Sequence, residues 1–126
     1  MKTVLMVALG GATGAVARYL VGVGATRFIG AGFPWGTLIV NIVGSFIMGA
    51  LIAALALRYS VSNEMRAFLA VGILGGFTTF SAFSLDFAVL MERKDFGLAM
   101  LYLGSSVGLS ILALFAGLSV ARTVFQ

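Results

Sequence analysis

Residues 67–85 read AFLAVGILGGFTTFSAFSL, nineteen positions in a row without a charged side chain. A helix needs about 20 apolar residues to cross the hydrocarbon core of a bilayer, so this stretch spans a membrane once its flanks are included. Its centre is unusual for a membrane helix, because two adjacent glycines and two threonines are poor helix formers. The segment therefore indicates both a membrane environment and an irregularity within the span.

Three further stretches without charge complete the pattern. They run over Thr3–Ala17, Phe28–Leu57 and Phe96–Ala121. The first is short unless Arg18 lies near a membrane surface or a wet cavity, where its long stem lets the guanidinium reach water. We predict an all-α membrane protein, one domain over residues 1–126, with four transmembrane helices at about 3–25, 36–57, 65–91 and 97–122.

The N-terminal stretch also has features of a signal peptide, since Lys2 precedes an apolar run with small residues near Ala15. A first membrane helix is the better interpretation, because everything downstream is also apolar. The connections are short, and Pro34 is expected to help start the second helix. Ser60, Ser62 and Asn63 in the second connection are residue types that cap helices.

The composition excludes most other classes of protein. Of the 126 residues, 61% are hydrophobic and 10% are charged, and the mean hydropathy is +1.15. A soluble domain carries about 25% charged residues. The chain has no cysteine, no histidine and only four acidic residues, so it has no thiolate metal site and little material for acid–base catalysis. We expect neither an enzyme nor a nucleic-acid-binding protein.

Basic residues are divided equally between the two sides of the predicted membrane. One side holds Lys2, Arg58, Arg66 and Arg122, and the other holds Arg18, Arg27, Arg93 and Lys94. The positive-inside rule compares these numbers, and four against four gives no preferred orientation. Either other signals orient the chain, or it inserts in both orientations and forms an antiparallel dimer.

Seventeen glycines include two pairs spaced four apart, Gly10 with Gly14 and Gly104 with Gly108. Small residues at this spacing lie on one helix face and let helix backbones approach closely in lipid. The pairs serve either packing within the chain or a dimer interface.

The glycines and threonines of the third span predict a break at Gly75–Thr79. Carbonyls freed at membrane depth must be satisfied by protein, water or an ion. Unwound carbonyls in transporters hold cations such as Na⁺. The alternative is an unbroken helix whose glycines permit close packing.

Two phenylalanines follow the predicted break. Phe80 and Phe83 are three residues apart and lie on one helical face, beside Thr79, Ser81 and Ser84. The edge of an aromatic ring carries partial positive charge and attracts an anion weakly. Weak attraction suits conduction, which requires that the ion can leave again.

Uncharged hydrogen-bond donors lie in two other spans. Asn41 is near the start of the second, and Tyr102, Ser106 and Ser110 form one stripe on the fourth. Such a stripe serves either interhelical hydrogen bonding or the wall of a pathway. Neutral donors could replace the hydration of a small anion, whereas a cation path would use acidic rings or carbonyls.

Asp86 is the one acid deep within a span and is a functional candidate for that reason. It could pair with Arg18 or Arg27, complete a local hydrogen-bond network, or titrate. Its presence leaves open a proton-coupled small-molecule exporter, similar in size to the small multidrug transporters. A third interpretation is an accessory membrane subunit, which would not explain the glycines and paired phenylalanines together.

Three motifs resemble the CrcB/Fluc family of fluoride channels. Gly75–Ser84, GGFTTFSAFS, resembles the family's third-helix signature GG-x-T/S-T-F-S-x-F-S. Gly10–Arg18, GGATGAVAR, looks like its first-helix G-x-x-x-G-A-x-x-R, and Pro34–Asn41, PWGTLIVN, is similar to P-x-G-T-L-x-V-N. With the polar stripe of the fourth helix, the resemblance covers nearly the whole chain in the right order.

The resemblance implies a channel for passive fluoride efflux across the bacterial inner membrane, which relieves fluoride toxicity. It implies an antiparallel, dual-topology homodimer with two pores and a structural Na⁺ at the interface, held by the main-chain carbonyls of Gly75 and Thr78 from both subunits. Arg18 matches the vestibule arginine. Asp86 stands where the family often has glutamate. The implied fluoride pathway is Asn41, Thr79, Phe80, Phe83, Tyr102, Ser106 and Ser110.

Overall fold

The computed structural model describes residues 1–126, and all its regular structure is helical. Helix α1 is Lys2–Phe28, α2 is Trp35–Leu57 and α5 is Phe96–Phe125. The third span, Asn63–Glu92, is interrupted, and all four segments are long and apolar enough to cross a membrane. The four predicted helices are confirmed, although α1 and α5 continue about a turn beyond their predicted ends.

The third span consists of two helical parts. An α-helical turn at Asn63–Arg66, a π-helix at Ala67–Leu74 and a turn at Gly75–Phe77 together form α3, residues 63–77. Residues 78–80 leave the helix, and α4 follows over Ser81–Glu92. The predicted break is present, but its predicted start at Gly75 is wrong, since Gly75–Phe77 remain helical and the chain first becomes extended at Thr78, with φ −89° and ψ 160°.

Close backbone packing explains why the glycines stay helical. A Cβ added to Gly76 would lie 2.7 Å from the carbonyl oxygen of Gly11, and one on Gly72 would lie 2.9 Å from the Cα of Gly10. Both distances are too short for real atoms, so α1 and α3 pack backbone against backbone. The span therefore contains both features: Gly72 and Gly76 pack closely on α1, and the break follows at Thr78.

The two predicted glycine pairs behave differently. Gly10 and Gly14 face α3, where a Cβ on Gly10 would lie 2.6 Å from the carbonyl oxygen of Phe68. Gly104 and Gly108 have no atom of the chain within 4 Å of an added Cβ. The first pair serves packing within the chain, and the second leaves a bare strip on α5.

Helices α2 and α5 form the second tightly packed pair. A Cβ on Gly117 would lie 2.9 Å from the backbone nitrogen of Ala50, and one on Gly49 would lie 3.0 Å from that of Leu118. At the ends of the helices, Pro34 directly precedes α2 and the Ser62 hydroxyl accepts a hydrogen bond from the Met65 amide at 3.1 Å, as predicted.

The core is small and lies where α2, α4 and α5 meet. It is formed by Leu38, Phe83, Leu90, Ala99 and Tyr102. Only 18 of the 126 residues are buried, so most large apolar side chains point outward. This distribution suits a lipid surround, because a soluble protein of this size would bury them.

Candidate functional site

The break in the third span is held by one side chain of α2. The Asn41 Oδ1 accepts a hydrogen bond from the backbone N–H of Thr79 at 2.8 Å. Its Nδ2 donates to the carbonyl oxygen of the same residue at 3.0 Å. The amide thus replaces the helical partners that Thr79 has lost, and one hydrogen on Nδ2 is left free. The Thr79 hydroxyl accepts a hydrogen bond at 3.1 Å from the amide of Ala82, which lies in the first turn of α4.

Two backbone carbonyls at the break accept no hydrogen bond from the chain, those of Gly75 and Thr78. The carbonyl of Gly76, directly after Gly75 in sequence, accepts from the Nε of Arg18 at 3.1 Å. Unpaired carbonyls at membrane depth need a partner. Gly75 is exposed on the surface of the protomer, so a partner could reach it from outside.

A groove of about 310 Å³ lies beside the break, between α2, α4 and α5. Its walls are formed by Asn41, Ser45, Thr78, Thr79, Phe80, Phe83, Ser106, Val107, Ser110 and Ile111. Six of the seven residues predicted for the fluoride pathway are in this set, and no charged side chain is. The groove therefore offers neutral donors and aromatic rings beside two aliphatic side chains, with no charge.

The two phenylalanines occupy different environments. Phe83 is 6% exposed and packs into the core, whereas Phe80 is 76% exposed. Their ring centroids are 5.5 Å apart with an angle of 55° between the planes. Phe83 thus forms a fixed wall of the groove, and Phe80 extends from its rim.

Two hydroxyls on α5 are buried without a partner. The oxygens of Ser106 and Ser110 are inaccessible to solvent and make no hydrogen bond. A hydroxyl in such a position loses the free energy of a hydrogen bond unless a ligand supplies it. Both serines line the groove, so two donors that the protein does not use lie beside that space.

Tyr102 is the predicted pathway residue that the structure places outside the groove. Its side chain is fully buried, and its hydroxyl donates to the Asp86 Oδ2 at 3.0 Å. Its ring lies 5.2 Å from that of Phe83 on one side and 5.4 Å from that of Phe33 on the other. Phe33, Asp86 and Arg93 line a second cavity of about 310 Å³, and Tyr102 contacts the first two of these residues.

Of the three roles considered for Asp86, the structure shows the local hydrogen-bond network, because its carboxylate accepts from the Tyr102 hydroxyl. The guanidinium of Arg18 donates to the Gly76 carbonyl instead. Arg18 is half-buried and lines an open depression with Tyr19 and Arg27, away from the groove. The vestibule predicted for Arg18 would therefore lie apart from the donors of the groove.

Sequence reasoning missed Ser45. It lies one helical turn after Asn41, at the spacing that puts two side chains on the same face of α2. That spacing was the signal that could have identified it. Serine is small and the residues around it are apolar, so the polar face that begins at Asn41 is difficult to follow in the sequence.

Comparison with known proteins settles the family. The family described as CrcB-like protein, Camphor Resistance (CrcB), matches residues 5–118. The chain belongs to the CrcB-like family. It is 56% identical over 126 residues to a protein of Caulobacter vibrioides (strain NA1000 / CB15N), covering 99% of both chains. It is 57% identical over 124 residues to one of Chelativorans sp. (strain BNC1), covering 98% of this chain and 99% of the other.

A protein of Agrobacterium fabrum (strain C58 / ATCC 33970) is 54% identical over 125 residues, which cover 99% of this chain and 100% of the other. All three relatives are named fluoride-specific ion channel FluC. All three are bacterial, and with its four apolar spans the chain is a multi-pass protein of the bacterial inner membrane.

Proposed function

We propose that the protein is a fluoride-selective channel through which fluoride leaves the bacterial cytoplasm passively. The observation that carries this function is the groove, which is lined by Phe83 together with Ser106 and Ser110, two serines whose hydroxyls have no partner. The high identity to relatives named for fluoride conduction over nearly their whole length supports the same function.

The chemistry of the groove suits a small, strongly hydrated anion. Several neutral donors together replace water around the ion, and the ring edges of Phe80 and Phe83 add weak attraction. An arginine or lysine in the groove would hold the ion too tightly for it to leave, and none lines it. A channel forms and breaks no covalent bond, so the protein is not an enzyme.

A proton-coupled exporter has no comparable support. Such a transporter needs a titratable acid facing the space that its substrate occupies. The groove contains no acid, and the Asp86 carboxylate lines the other cavity, where it accepts the Tyr102 hydrogen bond. The channel therefore explains the placement of polar residues better than a pump.

Efflux from liposomes tests the function directly. Purified protein alone, reconstituted into vesicles loaded with potassium fluoride, is expected to release fluoride when valinomycin compensates the charge, measured with a fluoride electrode. Vesicles loaded with potassium chloride serve as the selectivity control. Release that requires a proton gradient, or no release at all, would contradict the proposal.

We further propose a structural Na⁺ bound by the carbonyls of Gly75 and Thr78. Both oxygens lack a partner, both are neutral, and two copies of the chain would bring four of them together. Wild-type protein is then expected to melt at lower temperature when N-methylglucamine replaces Na⁺, and Gly75→Val should remove that difference. Equal melting of the wild type in both cations would count against the site.

The channel is proposed to work as an antiparallel homodimer with dual topology. Support comes from the equal division of basic residues, from the 76% exposure of Phe80, and from the bare strip at Gly104 and Gly108. C-terminal reporters active on each side of the membrane are expected to report both orientations in one cell. Signal from a single compartment would exclude dual topology.

A further inference from the structure

Ser45 has a hydroxyl that the fold does not use. It lies in the middle of α2, is half-buried, lines the groove and makes no hydrogen bond. A serine inside an apolar helix normally returns its hydroxyl to the carbonyl four residues earlier. In this chain the hydroxyls of Thr13, Thr78, Ser84 and Thr123 all do so, at 2.9 to 3.1 Å. Ser45 does not follow them.

Three serines with unused hydroxyls therefore line one space. Ser45 belongs to α2, and Ser106 and Ser110 belong to α5, and none of the three has a partner. Ser110 and Ser106 are one helical turn apart, as are Ser45 and Asn41, so each wall carries two donors in succession.

The spacing of these walls is fixed by backbone packing one turn beyond Ser45. Gly49 contacts α5 near Leu118, and Gly117 contacts α2 near Ala50, at distances that leave no room for a side chain between the helices. The two walls cannot move apart without breaking this contact. Donors held at a set separation select for ion size better than donors on mobile segments.

We propose that the Ser45 hydroxyl is a fluoride ligand and, with Ser106 and Ser110, sets the preference for fluoride over chloride. The inference rests on the proposed function. Fluoride is smaller than chloride and binds its hydration water more strongly. Each hydroxyl that replaces a lost water therefore recovers more free energy for fluoride than for chloride. The Ser45 hydroxyl gives the α2 wall a second donor after Asn41, so the ion can be solvated from both sides along the two turns that carry Ser106 and Ser110 on the α5 wall.

Substitutions at Ser45 test the inference in the liposome assay. Ser45→Ala removes the oxygen and leaves a good helix former, and it is expected to reduce fluoride efflux about tenfold, the effect of losing one hydrogen bond to a charged group. The ratio of fluoride to chloride efflux should fall with it. Ser45→Thr keeps the hydroxyl and should retain most of both. Ser105→Ala is the matched control, since Ser105 bonds the Tyr102 carbonyl at 3.4 Å and lies outside the groove.

The outcomes separate this inference from the proposed function. A conducting wild type with unchanged efflux rate and ion ratio in Ser45→Ala would overturn the role of Ser45 and leave the channel standing. Equal loss of efflux in Ser45→Ala and Ser105→Ala, with a lower melting temperature in both, would assign the serine to packing and also overturn the inference. A wild type that releases no fluoride would refute the channel itself, and the inference with it.

Discussion

The side-chain amide of Asn41 binds both backbone polar groups of Thr79, at 2.8 Å to the nitrogen and 3.0 Å to the oxygen. This is the hydrogen-bonding pattern that a neighbouring strand would supply, and in this fold one residue of a neighbouring helix supplies it. It lets the third span leave the helix in an apolar environment without leaving Thr79 unpaired. Asn41 is therefore a positioning residue for the break as well as a candidate donor to the ion.

Asn41→Ala should destabilise the protein and also abolish fluoride conduction. It removes two hydrogen bonds and leaves the N–H and the carbonyl of Thr79 unpaired, at a cost of about 2–4 kcal/mol. We expect a clear fall in the melting temperature in detergent and loss of fluoride efflux. A variant with wild-type melting and no efflux would show instead that the amide acts on the ion alone.

Gly44→Ala, on the same helix as Asn41, should displace the broken segment. An added Cβ would collide with the Thr78 Cγ2 and would lie 3.3 Å from the ring of Phe77. Overpacking of this kind costs about 1–3 kcal/mol. We expect reduced efflux and a lower melting temperature, measured together on the same preparation.

The double variant Gly44→Ala, Thr78→Ser is the informative partner, because serine lacks the methyl group that collides. It should recover part of the lost efflux, and Thr78→Ser alone should be mild. Gly24→Ala is the matched control, since an added Cβ there meets nothing within 4 Å. Equal losses in Gly44→Ala and Gly24→Ala would show that the effect comes from helix glycines in general.

The sequence was sufficient to predict the four spans, because length and absence of charge decide them. It also indicated the break, since Gly-Gly-Phe-Thr-Thr is poor helical sequence. It placed the start of the break three residues early, because whether Gly75 and Gly76 unwind depends on the packing of Gly76 against Gly11, a tertiary contact.

Most of the groove was predictable from polar residues in apolar helices. The different exposure of Phe80 and Phe83 was not, because their three-residue spacing predicts one helix face for both. In the structure Phe80 precedes α4, and the ring of Phe83 packs against that of Tyr102. The partner of Asp86 was likewise open, because a four-helix arrangement could bring Arg18, Arg27 or Tyr102 next to its carboxylate. Their positions depend on helix rotations that periodicity alone does not fix.

Aliphatic replacement of each phenylalanine should separate conduction from packing. Phe80→Ile removes a ring that is 76% exposed in the protomer, so efflux should fall while the melting temperature changes little. Phe83→Ile removes a core ring and should lower both, with a stability cost of about 1–3 kcal/mol. The measurements are fluoride efflux and melting in detergent. Normal efflux in both variants would contradict a role for the ring edges.

Asp86→Asn distinguishes the channel from a pump most directly. The amide oxygen of asparagine can still accept the hydrogen bond that Tyr102 now donates to Oδ2 at 3.0 Å, so the core around Tyr102 should remain folded. A passive channel has no need of a titrating acid, and we expect fluoride efflux in this variant to persist. Tyr102→Phe is the counterpart, because it removes the donor, leaves the carboxylate without its partner and should cost about 1–3 kcal/mol of stability. Efflux under valinomycin, with and without an imposed proton gradient, measures both variants. If a well-folded Asp86→Asn lost a transport activity that only a proton gradient drives in the wild type, the protein would be a proton-coupled exporter and the channel assignment would fall.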